Sequence, residues 1–169
     1  MAVTKDFGGK LLISVTDGRN LGEIKGLMLD QSASRGVALF LGKSGIIKRK
    51  ANLIDLKHVQ LVGVDVWLTR NSDCVVSEED YSDFEKLILA EDLFGREIVT
   101  EGGHKIGTIG DIVLDEKFNV LGFSFDKLQI EGPLAKAGAI IRVAVKSLGD
   151  SKTPAVASLD QAEKLTIAV

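Results

Sequence analysis

Two histidines, one cysteine and two aspartates placed alike are the residues of this chain with the most chemistry to offer. His58 and His104 are far apart in sequence. His104 falls in the turn Glu101-Gly102-Gly103-His104-Lys105, where only Glu97 or Glu101 would join it as a metal ligand, with no second nitrogen or sulfur donor nearby. Cys74 stands alone, which excludes an intramolecular disulfide and a cysteine-based metal site within one chain. Asp30 and Asp115 each end a strand-like run, a position where a carboxylate collects the N–H groups of a turn. These residues assemble no nucleophile, base and orienting group. The sequence therefore predicts no catalytic, cofactor-binding or metal-ligating residue, no cofactor and no enzyme.

Three further stretches invite a binding role. GVALFLGKS at 36–44 ends like a phosphate-binding loop, but such a loop needs four residues between its glycines and this one has five, all apolar and strand-forming. It reads as a strand followed by a turn. Lys48, Arg49 and Lys50, with Lys43 and Lys57 near them, form the densest basic cluster, suited either to RNA or to keeping a hairpin tip soluble. The apolar stretch PLAKAGAII at 133–141 is the better interface candidate, with Leu134 and Ile140 as its anchors. Trp67 alternates with Val66 and Leu68 on a strand and is expected in the core or at an interface.

Composition narrows the partners. The chain has 169 residues, a net charge of −3, 45% hydrophobic residues and only 5% aromatic ones, so it offers neither a general attraction for phosphate nor many stacking platforms for bases. A protein partner is favoured over nucleic acid. The opening MAVTKDFGGKLLISV has no apolar run of signal-peptide length and nothing approaches a membrane span, so a cytoplasmic protein without a membrane span is expected.

The elements that must position these residues are set by a repeat. LGEIKGLMLD at 21–30 returns as IGTIGDIVLD at 106–115, a period of 85, with Gly22/Gly107, Ile24/Ile109, Leu29/Leu114 and Asp30/Asp115 identical. Around it lie strand-like runs broken by glycine turns: Leu11 to Val15, Glu23 to Leu29, Val37 to Leu41, Leu53 to Leu56 and Val64 to Thr69. The second half repeats the plan with Glu97 to Thr100, Thr108 to Leu114, Val120 to Phe125 and Ala139 to Val145. A loop at 132–138 interrupts it. The chain ends in a last strand over Leu165 to Ala168, unless SLDQAEKL begins a helical turn. Between the halves, Ser77 as cap, Asp80 as its capping-box partner and the stripe Tyr81, Phe84, Leu87 and Ile88 predict one amphipathic helix. The expected domains are 1–76, a linking helix at 77–91, and 92–169.

The glycine turn followed by G-x-x-x-D-x-x-x-D at Gly107, Asp111 and Asp115, preceded by LFGREIVTEGGHKIG at 93–107, resembles the PRC-barrel family, known from the photosynthetic reaction centre H subunit and the C-terminal half of the ribosome maturation factors. The first repeat keeps Gly22 and Asp30 but has Gly26 at the middle position. ANLIDLKHVQLVGVDVWL at 51–68 is similar to the family's closing strands. The resemblance implies an all-β fold of two tandem small β-barrels joined by the helix, and a non-enzymatic adaptor or regulatory module docking onto a larger protein assembly. Its alternative is an RNA- or ribosome-associated maturation factor working through 48–50. A second copy of the chain is a further candidate partner.

Overall fold

Runs of branched apolar residues between glycine turns pair into sheets throughout the computed structural model, which describes residues 1–165 and 167. The chain divides into two units, Lys5–Leu89, and Met1–Thr4 together with Ala90–Val169. Strand β1 (Ala2–Val3) comes first. The first unit then holds β2 (Leu11–Ser14), β3 (Asn20–Glu23), β4 (Gly26–Leu29), β5 (Gly36–Ser44), β6 (Lys50–Asp55), β7 (Val59–Val62), β8 (Val66–Thr69), β9 (Val76–Ser77) and β10 (Ile88–Leu89). The second holds β11 (Glu97–Thr100), β12 (Lys105–Leu114), β13 (Val120–Leu128), helix α1 (Pro133–Ala137), β14 (Ala139–Ile141), β15 (Val145–Ser147), β16 (Ala155–Ala157) and helix α2 (Leu159–Lys164).

The fold is all-β, with two short helices among the described residues. The first unit carries a five-stranded sheet in the order β10-β4-β5-β6-β9 and a four-stranded sheet in the order β3-β2-β8-β7. In the second unit one seven-stranded sheet runs β14-β13-β12-β11-β16-β15, with β1 added along β12. These orders are open. No closed barrel forms among the described residues.

The sequence repeat is written into the backbone. In the first unit Gly9 N–H donates to the Ile24 carbonyl and Ile24 N–H to the Lys10 carbonyl, both at 2.8 Å. In the second, Gly95 N–H donates to Ile109 at 2.7 Å and Ile109 N–H to Arg96 at 2.9 Å, the same knot one repeat later. The parallel pair β2 and β8, with Leu12 opposite Trp67, recurs as β11 and β16, with Ile98 opposite Ala155. Asp30 and Asp115 close equivalent turns, each followed three residues on by a left-handed residue, Ala33 (φ 47) and Phe118 (φ 62). The match is not perfect. Gly22, within β3, has φ 116 and the strand breaks after Glu23 before β4, whereas β12 runs on through Gly107, where an added Cβ would lie 2.3 Å from the Lys127 carbonyl oxygen, so only glycine admits β13 this close.

Each unit takes its added strand from the segment that leads the other repeat. Ala2 and Val3 stand opposite Leu114 and Val113 of β12, while Ile88 and Leu89 stand opposite Leu29 and Met28 of β4. The two leading strands are thus exchanged, at equivalent positions and in the same antiparallel register.

Burial follows the same plan. Leu12, Ile24, Leu27, Leu29, Leu39, Leu53, Ile54 and Trp67 are fully buried in the first unit, where Trp67 meets the edge of Phe7 at 4.9 Å between ring centres. In the second unit Ile98, Ile106, Ile109, Ile112, Leu114 and Phe123 take the equivalent roles.

Several expectations are corrected. The segment 77–91 is not a linking helix: Val76 and Ser77 pair with β6, Asp83 is left-handed at φ 56, a single 3₁₀ turn spans Phe84–Lys86, and Ile88 and Leu89 join β4. Sheet pairing at both ends removes the residues a short helix needs to nucleate. The capping-box pair survives only as a turn, with Ser77 Oγ donating to Asp80 at 3.1 Å. Tyr81, Phe84, Leu87 and Leu89 pack instead on Met28, Ala38 and Leu53. Met1–Thr4, expected with the first repeat, falls in the second unit. Val59–Val62, between two of the expected strands, forms a strand of its own, β7, and the loop at 132–138 contains α1. The helical alternative for SLDQAEKL holds in α2, while the strand expected over Leu165 to Ala168 lies partly outside the described residues.

Candidate interaction surface

Leu134 and Ile140, expected at an interface, and Trp67, expected in the core or at an interface, are each fully buried. The glycine- and alanine-rich loop coils into α1, with Gly138 N–H donating to the Leu134 carbonyl, and this turns Leu134 inward while Ile140 enters β14 opposite Phe123. They are core residues, so their apolar character says nothing about a partner.

GVALFLGKS is one continuous strand, β5, which leaves no loop of free N–H groups for phosphate. His104 is exposed in the β11–β12 turn, where its N–H donates to Thr100 Oγ1 at 3.1 Å. Asp115 Oδ1 accepts from Lys117 and Asn119 N–H, both at 2.8 Å, and Asp30 Oδ1 accepts from Ser34 N–H at 2.7 Å. The Asn119 side-chain bond above all, at 2.7 Å, holds the Asp115 carboxyl below its usual range.

His58 and Cys74 line one cleft of the first unit with Asp55, Asp80 and Tyr81, a gathering that sequence spacing did not reveal. Cys74 and Asp55 are already engaged. The Cys74 thiol is buried and donates to the Asn71 carbonyl, and Asp55 pairs with Lys57 at 3.2 Å while capping the turn at Leu56–His58. Burial first, and then the charge of Asp55, pushes the Tyr81 phenol above its ordinary value. Among the described residues no cluster of three or more metal-binding side chains occurs.

What the first unit displays is apolar and basic surface on two hairpins. The β5–β6 tip runs Gly45-Ile46-Ile47-Lys48-Arg49, with Ile46 and Ile47 at 104% and 97% exposure and the whole of 43–49 in solvent. Its shape requires Gly45: φ is 119, and a Cβ would lie 2.2 Å from the Lys48 carbonyl oxygen. Of the three basic residues singled out, Lys48 and Arg49 are exposed, whereas Lys50 is half-buried and paired with Glu79. An apolar pair as short as Ile46-Ile47 carries neither a strand nor a helix period, so the sequence pattern gives no sign that it stands in solvent.

The second hairpin joins β7 to β8. Leu61 and Val62 are about half exposed and Val64 is 83% exposed, and β7 is the end strand of its sheet. The counterpart edge in the second unit, β15, buries Val145 and shows Lys146 and Ser147 to water. Of these two counterpart end strands, β7 alone shows apolar side chains to solvent.

No helix of the described residues is long and apolar enough to cross a membrane. A comparison of the chain with curated proteins finds no match. Residues 85–132, which begin just before β10, take in β11, β12 and β13 and stop at the glycine that precedes α1, match the family model of the PRC-barrel domain.

Proposed function

We propose that this protein is a non-enzymatic docking module of two PRC-type repeats, an adaptor or regulatory element that joins a larger protein assembly in the cytoplasm. PRC-barrel domains commonly mediate protein interactions, and the match at 85–132 supports that class of role. The observation that carries the reading is the β7 edge. A strand that ends its sheet offers a row of N–H and C=O groups to an added strand, and apolar side chains on the same edge supply the affinity that backbone pairing alone lacks.

Cross-linking in the native cell followed by mass spectrometry tests it. The wild-type chain should capture a defined partner that Leu61→Lys with Val64→Lys loses at unchanged fold, since desolvated apolar anchors dominate protein interfaces. Capture unaffected by both changes would remove β7 from the reading. The ribosome or RNA alternative rests on Lys48, Arg49 and Lys50; the pairing of Lys50 with Glu79 and the exposed Ile46 and Ile47 just before the run weaken it as a phosphate-binding strip. Ribosome co-sedimentation lost on changing all three to Glu would revive it.

A further inference from the structure

We propose that the β5–β6 hairpin tip is a membrane-surface anchor, in which Ile46 and Ile47 enter the headgroup boundary of an anionic bilayer while Lys43, Lys48 and Arg49 meet its phosphates. Ile46 and Ile47 are adjacent and essentially fully exposed, so no neighbouring side chain walls them into a surface that a rigid protein partner would match. A bilayer conforms to such a convex tip. The cations stand on both sides of the isoleucines, the stretch from Leu41 to Lys50 contains no acid, and no ion pair holds Lys43, Lys48 or Arg49 among the described residues. In a chain of net charge −3 this is a local reversal of sign, and it complements an anionic leaflet.

The stem is built to present the tip. Asn52 Nδ2 donates to Ser44 Oγ at 2.7 Å across the hairpin, Ala51 N–H donates to Glu78 at 2.8 Å, and Gly45 closes the turn. Exposure is not imposed by the fold. At the corresponding loop of the second unit the chain coils into α1 and buries its apolar residue, Leu134, completely. An apolar pair flanked by Lys and Arg is the composition that partitions to the interface without spanning it.

Flotation of the full chain with lipid vesicles decides the matter. Vesicles of phosphatidylcholine with about one-third phosphatidylglycerol should carry the protein upward at low salt, pure phosphatidylcholine vesicles far less, and half-molar salt should release it. Ile46→Ser with Ile47→Ser should weaken binding about tenfold or more, and each of Lys43→Gln, Lys48→Gln and Arg49→Gln roughly fivefold. All these side chains are exposed, so an unchanged thermal transition should certify the variants as folded. The proposal is overturned if the wild type stays at the bottom with anionic vesicles, or if the isoleucine variant floats as well as the wild type. It is equally overturned if the tip variants lose a single-stranded RNA oligomer or a soluble protein partner while wild-type vesicle binding is absent. Because Leu61 and Val64 lie on the other hairpin, their variants should float normally.

Discussion

Thr4 donates twice to one oxygen of Asp111, from its N–H at 3.0 Å and from its hydroxyl at 2.6 Å, and Ile112 N–H reaches the same oxygen at 2.6 Å. The bond ties residue 4 to the second unit, over a separation of 107 residues. In the first repeat the corresponding positions are Gly26 and Ala90, so the carboxylate and the hydroxyl are absent together. Asp111→Ala strands three buried donors and should cost about 2–3 kcal/mol, whereas Thr4→Val should cost about 1 kcal/mol. Urea unfolding monitored at the two variants checks the ratio.

Deleting residues 1–4 should remove both this bond and the β1 ladder. Hydrogen exchange should then quicken at Val113 and Leu114, which lose their partners Val3 and Ala2, while amides of Lys5–Leu89 keep their protection. Equal loss in both units would show that the first four residues serve more than one of them.

Phe84→Asp should destabilise the first unit by about 1–3 kcal/mol, since it sets a carboxylate against Met28, Ala38 and Leu53. Exchange in β9 and β10 reports it. If those strands keep full protection, the 3₁₀ turn at Phe84–Lys86 contributes little to the core.

Asp17 carries a pH signature. The Ser14 hydroxyl, then the Ser72 hydroxyl donating at 2.7 Å, hold its carboxyl at about 2 against an ordinary 3.8. A depressed folded-state value means that the contribution is fully present above pH 4 and is lost as pH falls from 3.8 toward 2. Carboxyl titration by NMR should show the low value in the wild type and an upward move in Ser72→Ala.

Glu91 has the opposite sign. Burial, joined by the charges of Asp92 and Asp111, raises its carboxyl, and Oε2 has no hydrogen-bond partner among the described residues. A raised carboxyl costs stability at neutral pH, and the cost is relieved as pH falls through its folded value toward 4.5. Glu91→Gln should raise the melting temperature at pH 7 and flatten this part of the pH profile.

Much of the fold was legible because alternation leaves a strong trace. Ile24 and Ile109, Leu29 and Leu114 announce two copies of one strand plan, and the aspartate turns at 30 and 115 follow from residue type alone. What failed did so for physical reasons. The three- and four-residue spacing of Tyr81, Phe84 and Leu87 arises here from turns and short strands that present their apolar residues to one sheet. Apolar composition at 133–141 does not tell whether a loop stands out or folds in, and a five-residue helix turned Leu134 inward. Two-residue strands such as β1 and β10 carry no periodicity at all, so their exchange was invisible.

That exchange has a consequence for cutting the gene. A fragment ending near residue 76 would keep β1 with nothing to pair to and leave β4 without β10, and the complementary fragment would carry β10 idle beside a bare stretch of β12. Each half would then be a strand donor and a strand acceptor at once, the condition for pairing with another copy of itself. The single polypeptide avoids this by keeping donor and acceptor at an effective concentration that free copies in a cell do not reach.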